Sequence, residues 1–248
     1  MKILFTADYH IKIGQKDVPA AWAKNRFREM FKQVWDMEPK SNGIHIVGGD
    51  IFDKLPNMEE LELFFEFVAG CGIPTYIYDG NHEATKKGHT FLSSLKEVVR
   101  LINNKVQIID DYHSFEEDGI DIIPYCKLKE YHPADIDFHG RILCTHVRGE
   151  IPPHVKPEVN LDIFSRWDVV LAGDLHSYDN CQRNILYPGS PVTTSFHRTK
   201  VDTGAIILDS DTLEHVFVKF KLPQLIKKTV KAGEELVPGD YDHIMYEV

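Results

Sequence analysis

The stretch that decides the fold is residues 2–10, which read Lys2-Ile3-Leu4-Phe5-Thr6-Ala7-Asp8-Tyr9-His10. Its first six residues form a mostly apolar run that ends at a polar cluster, which predicts a buried β-strand. Asp8 and His10 lie two residues apart, so their side chains face the same way on an extended backbone. The predicted strand therefore carries a carboxylate and an imidazole together at its carboxyl end.

Strands alternate with amphipathic helices through the first part of the chain. Further strands are predicted at Ile44–Val47, after the turn Asn42-Gly43, and at Ile73–Tyr78. Two helices are predicted from apolar residues that share one face, namely Phe27, Met30, Phe31, Val34 and Trp35, and then Leu61, Phe64, Phe65 and Val68. A third helix is predicted from Phe91 to Ile102. This alternation indicates βαβ units and a mostly parallel sheet.

The second part of the chain is predicted to consist mainly of strands and hairpins. The single strands are Val106–Ile109, Ile120–Pro124, Arg141–Thr145, Asp168–Ala172 and Ile185–Tyr187. Ile206–Asp209 and His215–Lys221 are predicted to pair as a hairpin across residues 209–211. Pro223 is interpreted as the boundary between a domain of residues 1–222 and a small, incomplete region of residues 223–248.

Composition restricts the class of protein. The 248 residues are 43% apolar and 27% charged, as in an ordinary soluble globular protein with a substantial core. The four cysteines show no CxxC spacing, which argues against a structural zinc site or a disulfide framework and favours a reducing, cytoplasmic setting. No apolar run approaches the ~18 residues of a membrane span. Asp8 also lies too early for a cleaved signal peptide.

The net charge of −10 by itself disfavours nucleic-acid binding. Acidic metal ligands inflate that count, however, and bound divalent ions invert the local field. Residues 191–231 also carry seven Lys or Arg against four Asp or Glu. A solvated charged face explains that segment equally well, so the charge distribution does not decide whether the protein binds nucleic acid.

Five polar clusters carry the chemistry, and each follows a predicted strand. They are Asp8-Tyr9-His10, Gly49-Asp50, Gly80-Asn81-His82-Glu83, Thr145-His146 and Gly173-Asp174-Leu175-His176. The carboxyl ends of strands in an open α/β sheet meet at one edge, where ligands bind. A lone His or an Asp-Gly pair at such an end is usually structural, so only the whole set indicates a site.

The donor atoms of these clusters suit divalent metal ions. Carboxylates, imidazoles and one amide oxygen are ligands of manganese, iron or zinc. Their number favours two ions ~3.5–4 Å apart that share a carboxylate, over a single ion. Such a pair activates a water molecule and binds phosphoryl oxygens, so the residues themselves predict a two-metal phosphoesterase.

The order of the motifs resembles that of the calcineurin-like metallophosphoesterases, from Lys2 to about Lys221. The shared pattern is Asp-x-His, Gly-Gly-Asp, Gly-Asn-His-Glu, a lone His and Gly-x-x-His. Two further motifs are similar to those of the SbcD nucleases, which are relatives of the meiotic-recombination (Mre-type) nuclease: Gly49-Asp50-Ile51-Phe52-Asp53 and Tyr187-Pro188-Gly189-Ser190-Pro191. The resemblance implies an α/β fold, a four-layer α/β/β/α sandwich with the site on the loops at one edge.

The resemblance also implies the ligand set. The metal ligands would be Asp8, His10 and His176 at the first ion, Asn81, His146 and Asp174 at the second, and Asp50 as the bridge between them. The sequence departs from the family at two places. Asp174 stands where relatives have a histidine, which bears on metal choice. His10-Ile11-Lys12-Ile13-Gly14 replaces the usual His-Leu-Gly, which bears on substrate positioning.

Three further residues receive roles. The resemblance implies that His82 binds no metal and that it acts as a general acid, which protonates the leaving oxygen. Asp53 is interpreted as orienting a ligand or its loop, with a local turn cap as the equal alternative. Arg148 is a candidate phosphate contact, and a surface salt bridge is the other interpretation.

The resemblance implies a manganese-dependent DNA nuclease of repair or recombination, exo- or endonucleolytic, with Mg²⁺ as the alternative ion. It further implies a homodimer, an SbcC-like ATPase partner, no membrane, and the cytoplasm of a bacterium or a phage-infected host. The helices that dock the ATPase have no room after residue 223, so we expect a truncated chain or a compact phage version. Two alternatives stay open: a phosphatase or cyclic-nucleotide phosphodiesterase on the same fold, and a non-catalytic interaction module.

Overall fold

A computed structural model describes residues 1–84, 90–130, 140–239 and 241–248. In chain order its strands are β1 Lys2–Thr6, β2 Gly43–Gly48, β3 Thr75–Tyr78, β4 Val106–Ile109, β5 His113–Phe115, β6 Ile120–Ile123, β7 Ile142–His146, β8 Val169–Gly173, β9 Ile185–Leu186, β10 Gly204–Asp209, β11 His215–Lys219, β12 Leu225–Thr229 and β13 His243–Glu247. The α-helices of these residues are α1 Ala20–Met37, α2 Met58–Gly70 and α3 Lys96–Ile102. Short 3₁₀ helices include Phe91–Leu95, Tyr125–Lys127, Leu161–Arg166 and Tyr178–Asn180.

The first sheet has the strand order β11-β10-β1-β2-β3-β4. Strands β1 to β4 are parallel, whereas β10 is antiparallel to β1 and to β11. Side chains alternate between its two faces. Leu4 and Val47 pack with α1 and α2, and Phe5 and Ile46 pack toward the second sheet. Both faces are thus covered, as a parallel sheet requires.

The second sheet has the order β5-β6-β7-β8-β9, parallel except for β5. Ile142 and Leu171 pack against the first sheet, and Leu143 and Val170 pack outward with Trp167. The predicted four-layer arrangement is confirmed. Over the outer face of this sheet, residues 147–167 contribute the 3₁₀ helix Leu161–Arg166 and no α-helix.

The predicted elements mostly match the observed ones. The hairpin of β10 and β11 is confirmed, with Leu208 opposite His215. Strand β3 begins at Thr75 because Pro74 has no N–H for the ladder. The predicted third helix is divided into the 3₁₀ helix Phe91–Leu95 and α3. Strands β5, β12 and β13 were not predicted, since they are short or lack alternation.

Helix α2 is connected to the loop that follows β1. Asn57 and Glu60 form a capping box: the Asn57 side chain accepts from Glu60 N at 3.0 Å, and Glu60 Oε2 accepts from Asn57 N at 2.9 Å. The other oxygen, Glu60 Oε1, accepts from Ile13 N at 3.0 Å. One buried carboxylate therefore caps the helix and also fixes the chain just beyond His10.

The last residues pack on the segment that follows the Tyr187–Pro191 motif. Strands β12 and β13 form a two-stranded parallel sheet. His197 extends it, since its N–H donates to Leu225 O at 3.0 Å and its carbonyl accepts from Lys227 N at 2.9 Å. The boundary at Pro223 stays a prediction. In the part of the chain that the structure describes, no helix has the length and apolarity that crossing a bilayer demands.

Candidate metal centre

The predicted ligands lie at the carboxyl ends of the parallel strands, where the two sheets adjoin. They follow β1 (Asp8, His10), β2 (Asp50), β3 (Asn81) and β8 (Asp174, His176), or end β7 (His146). The loops are joined through their backbones: Asp8 N donates to Gly49 O at 3.0 Å, and His10 N donates to Asp50 O at 2.9 Å. The strand-end prediction thus explains how residues far apart in sequence meet.

Four of the predicted ligands have a positive φ angle. The values are 56° at Asp8, 45° at His10, 51° at Asp50 and 102° at Asp174. Such backbone conformations cost on the order of 1–3 kcal/mol each and persist only where surrounding contacts fix them. Their concentration at one edge of the fold is typical of a functional site.

Asp50 lies at the middle of the cluster and is buried. Its Oδ2 lies 3.5 Å from His10 Nε2 and 3.6 Å from His146 Nε2. Its Oδ1 accepts from the backbone N of His82 at 2.9 Å, which fixes the plane of the carboxylate. One oxygen is therefore nearly equidistant from imidazoles that belong to different sheets.

The first ligand group consists of Asp8, His10 and His176. His10 Nε2 and His176 Nε2 face each other at 3.0 Å. Burial and the neighbouring imidazoles lower the pKa of His10 well below its usual value, and burial lowers the pKa of His176. Burial also raises the pKa of the Asp8 carboxyl to about 8, against the opposing effect of His146. Uncharged imidazoles have the free lone pairs that metal ligation needs.

His146 belongs to the second group and is fully buried. Its Nδ1 lies 2.9 Å from the Gly48 carbonyl, which can only accept, so Nδ1 carries the proton and Nε2 faces the centre. That Nε2 lies 2.9 Å from Asn81 Oδ1. Burial alone would lower the pKa of His146, but the carboxylates of Asp50 and Asp8 outweigh it and raise the pKa to about 9.

The donor set fits divalent ions. Three overlapping groups have ligand atoms within 4.8 Å of one another: Asp8-His10-His176, His10-Asp50-His82 and Asp8-Asp50-His146. Within the described residues, His10 Nδ1 is a buried atom without a hydrogen-bond partner, although it lies 3.9 Å from Asp53 Oδ1. Carboxylate oxygens and imidazole nitrogens converging in this way suit manganese, iron or zinc.

His82 lies beside this cluster and is more exposed, with 36% of its side chain accessible. Its Nδ1 lies 2.6 Å from the Asp53 carbonyl and must be the protonated nitrogen of the neutral ring. Its Nε2 therefore faces the centre, 3.9 Å from Asp50 Oδ2. Asp53 thus orients His82 through its backbone, while its carboxylate pairs with Lys12 Nζ at 2.7 Å.

Asp174 is placed differently from the other predicted ligands. Its backbone N donates to both oxygens of Asp8, at 3.0 and 3.2 Å, so it adjoins the centre. Its carboxylate is 5% exposed and accepts two hydrogen bonds from Arg148, both at 3.2 Å. Asp174 is in none of the groups of converging ligand atoms among the described residues. Its direct ligation stays a prediction, and the ion-pair interpretation of Arg148 describes the observed contact.

Glu83 was not assigned a role from the sequence, although it supports the centre. It is 1% exposed, and its carboxylate accepts from three backbone N–H groups, of Asp50 at 3.0 Å, Phe52 at 2.8 Å and Gly80 at 2.8 Å. Burial and the charge of Asp50 raise its pKa to about 8. The available signal was the carboxylate that directly follows Gly80-Asn81-His82.

The Tyr187–Pro191 motif packs beneath the centre. Ser190 Oγ lies 2.7 Å from the carbonyl of Asp8 and 2.7 Å from that of Val192. Gly189 has φ +75°, and a Cβ there would lie 2.8 Å from the His176 carbonyl. The motif thus supports the loops of Asp8 and His176, which belong to different sheets.

The sequence of the chain is similar to those of known proteins. The sequence profile of the calcineurin-like phosphoesterases matches residues 1–202. The chain is 45% identical over 259 residues to the probable exonuclease subunit 1 of Escherichia phage T5, covering 100% of this chain and 78% of that protein. It is 25% identical over 223 residues to the putative phosphoesterase 244L of Invertebrate iridescent virus 6, covering 84% and 75% of the two chains.

Solved structures show the same fold. The protein TT1561 of Thermus thermophilus superposes with a TM-score of 0.53 at 11% identity, covering 88% of this chain and 98% of the other. At that identity the likeness concerns the backbone arrangement alone.

Proposed function

The chain belongs to the calcineurin-like phosphoesterase family and is a metal-dependent hydrolase that acts on phosphodiesters, and we propose that its substrate is DNA. The observation that supports two-metal hydrolysis of a phosphodiester is the position of Asp50 Oδ2. It lies between His10 Nε2 and His146 Nε2, with His82 Nε2 on a more exposed side. A carboxylate shared by two imidazole groups is the arrangement that two-metal phosphodiester hydrolysis needs.

Seven residues would hold the two ions. They are Asp8, His10 and His176 for the first, Asn81, His146 and Asp174 for the second, and Asp50 for both. When bound, the ions supply a water of lowered pKa and neutralise negative charge on the phosphoryl oxygens. The oxygen-rich second set favours Mn²⁺, with Mg²⁺ as the alternative.

His82 supplies the proton for the leaving oxygen. The Asp53 carbonyl holds Nδ1, so the proton is gained and lost at Nε2. The ring is edge-on to His10, with centroids 4.7 Å apart, and its exposure lets a substrate reach it. In the charged imidazolium, Nε2–H donates toward the scissile bond, which makes His82 a general acid.

DNA is favoured over a small phosphoester by the relative and by sequence motifs. The phage T5 relative is named a probable exonuclease subunit. The Gly49–Asp53 and Tyr187–Pro191 motifs are similar to those of SbcD-type nucleases. The excess of basic residues in the segment 191–231 gives less support, because three of its lysines form ion pairs. Lys200 pairs with Asp242, Lys219 pairs with Asp202, and Lys227 pairs with Glu247.

The proposal extends to assembly and setting. The word "subunit" in the relative's name supports a complex, which we propose to be a homodimer with an SbcC-like ATPase. We place its activity in DNA repair or recombination in the cytoplasm of a phage-infected host or bacterium. Residues 223–248 would start a small region that contributes to DNA binding.

The deciding experiment compares substrates with one preparation of the full chain. Linear and circular DNA, nitrophenyl phosphate and a cyclic nucleotide are incubated with Mn²⁺, with chelator, and with the His82→Ala variant. We expect Mn²⁺-dependent cleavage of DNA that chelator and His82→Ala both abolish. Turnover of the small phosphoesters without DNA cleavage would establish the phosphatase or phosphodiesterase alternative. Absence of metal binding in calorimetry would establish the non-catalytic one.

A further inference from the structure

A second cluster of metal-binding side chains lies between the first sheet and its helices. Glu38 directly follows α1, His45 lies in β2, and Cys71 directly follows α2. One ligand atom from each lies within 4.8 Å of the other two, as is also true of Asp8, His10 and His176. His45 is in the first half of β2, whereas Asp50 follows its carboxyl end, so the two clusters are distinct.

Two atoms of this cluster are buried and lack hydrogen-bond partners among the described residues. His45 is fully buried, and its Nε2 lies 2.9 Å from Thr6 Oγ1, which leaves Nδ1 unpartnered. Glu38 Oε2 accepts from Gly72 N at 2.9 Å, which leaves Oε1 unpartnered. Each buried polar atom that stays unpaired costs free energy, and an ion bound by both side chains would remove that cost.

The charges of the three side chains would balance a divalent cation. A Cys71 thiolate and a Glu38 carboxylate supply two negative charges, and a neutral imidazole adds none. Burial lowers the pKa of His45 to about 3, so its ring is neutral at ordinary pH. A neutral overall charge is what a buried site requires.

We propose that Glu38, His45 and Cys71 bind one zinc ion, with Thr6 orienting the imidazole through Nε2. Thiolate, imidazole and carboxylate are the ligands that zinc takes in proteins, and thiolate selects zinc over manganese. A hydrogen-bond partner on the other ring nitrogen is the usual way in which a ligating histidine is oriented. Glu38 is partly exposed and gives the ion access from the surface.

Binding requires a proton to leave. Burial raises the pKa of the Cys71 thiol to about 12, and its S–H points to Phe67 O at 3.4 Å. As the sulfur–zinc bond forms, the thiol proton passes to solvent and the contact with Phe67 is lost. The ion would connect the ends of α1 and α2 to β2, and the site would stabilise the fold without joining in catalysis.

Cobalt is the probe for this site, because a thiolate ligand gives Co²⁺ a near-ultraviolet charge-transfer band that oxygen and nitrogen ligands do not. The metal-stripped full chain is titrated with Co²⁺. We expect a band with the intensity of one cobalt–thiolate bond per chain, since Co²⁺ at the centre around Asp50 gives no such band. The band should disappear in Cys71→Ser and persist in Cys126→Ser and Cys144→Ser. A wild-type chain without the band, or a band that survives Cys71→Ser, overturns the proposal.

A second measurement covers the case in which Cys71→Ser fails to fold. Glu38→Gln changes a side chain that is partly exposed, and it should weaken cobalt binding about tenfold or more, since even residues that only orient ligands are worth 10–100-fold. Zinc should raise the unfolding midpoint of the wild type and of His82→Ala more than that of Glu38→Gln, which keeps only the centre at Asp50. Equal stabilisation of Glu38→Gln would place the zinc elsewhere. Because neither readout uses DNA cleavage, the result is independent of the proposed function.

Discussion

His82 and His146 are oriented by the same kind of hydrogen bond, but they differ in solvent exposure. Backbone carbonyls fix Nδ1 of both His82 and His146, so that Nε2 of each faces Asp50. The side chain of His146 is 0% exposed and that of His82 is 36% exposed. His146 can therefore contact only an ion inside the cluster, whereas His82 can also contact a substrate.

His82→Ala should abolish DNA cleavage and leave metal binding nearly unchanged. Loss of a general acid lowers the rate by about 10²–10⁴. Cleavage kinetics and titration calorimetry with Mn²⁺ measure the two effects, and His146→Ala is the matched control that should lose an ion. Loss of one Mn²⁺ from His82→Ala would show that His82 is itself a ligand.

Asp50→Asn should weaken the binding of both ions, and Asp8→Asn should weaken mainly the binding of one. An amide cannot balance two cations, and Asp50 Oδ2 lies near an imidazole of each ligand group, at 3.5 and 3.6 Å. Calorimetric Mn²⁺ titrations of both variants give the number of sites affected. If each variant lost a single site, Asp50 would not be the bridge.

Arg148 and Asp174 should act as a pair. The Asp174 carboxylate adds negative charge beside the centre, but the bidentate contact with Arg148 balances that charge. Arg148→Met should therefore increase the Mn²⁺ affinity of one site by about two- to fivefold, because an ion pair with a half-exposed arginine contributes ~0.5–1 kcal/mol.

Asp174→His should shift metal preference toward zinc or cobalt.

The double variant of Arg148 and Asp174 distinguishes charge compensation by Arg148 from phosphate binding by Arg148. In the Asp174→His background, Arg148→Met should no longer tighten Mn²⁺, because no carboxylate is left to release. Calorimetry on the four proteins gives the coupling. An Arg148→Met effect confined to the KM for DNA, and equal in both backgrounds, would make Arg148 a phosphate contact instead.

At the scale of elements, the loop after β3 depends on the close approach of two backbones. A Cβ on Gly80 would lie 2.1 Å from Asp50 Oδ1 and 2.5 Å from Asp50 N. Glu83, at the other end of the same turn, accepts N–H groups from both of these residues. The loop after β3 thus fixes the loop after β2.

Gly80→Ala should displace Asp50 and so reduce both stability and Mn²⁺ affinity. Overpacking of this kind costs about 1–3 kcal/mol. Denaturant unfolding and calorimetry measure the two losses. Gly14→Ala is the control, since a Cβ there meets nothing within 4 Å and should change neither quantity. Mn²⁺ binding that is unchanged in Gly80→Ala would mean that the loop adapts.

At the scale of the whole molecule, a net charge of −10 opposes the approach of DNA. Bound divalent ions reverse the local field at the strand ends, so the ions should serve binding as well as chemistry. We therefore expect His82→Ala to bind a labelled oligonucleotide with Mn²⁺ and much more weakly with chelator. Fluorescence anisotropy measures this difference. Equal binding under both conditions would locate the DNA contact on a basic surface remote from the centre.

The sequence by itself determined the alternation of strands and helices around β1 to β3 and the identity of the strand-end ligand candidates. Both follow from local rules: apolar strands alternate with amphipathic helices, and parallel strands place the residues after them at one edge. Residues such as Asp8 and Asp50 could be found because each lies two residues after a strand ends, a position visible in a few adjacent residues.

Only the tertiary structure decided the contacts that no local pattern encodes. Glu83 reaches backbone groups of another loop, and Arg148 reaches Asp174 from a different strand end. Glu38, His45 and Cys71 follow or belong to three separate elements, so their spacing along the chain gave no sign of a shared site. The physical reason is the same in each case: these partners meet through packing of the layers, which depends on every side chain between them.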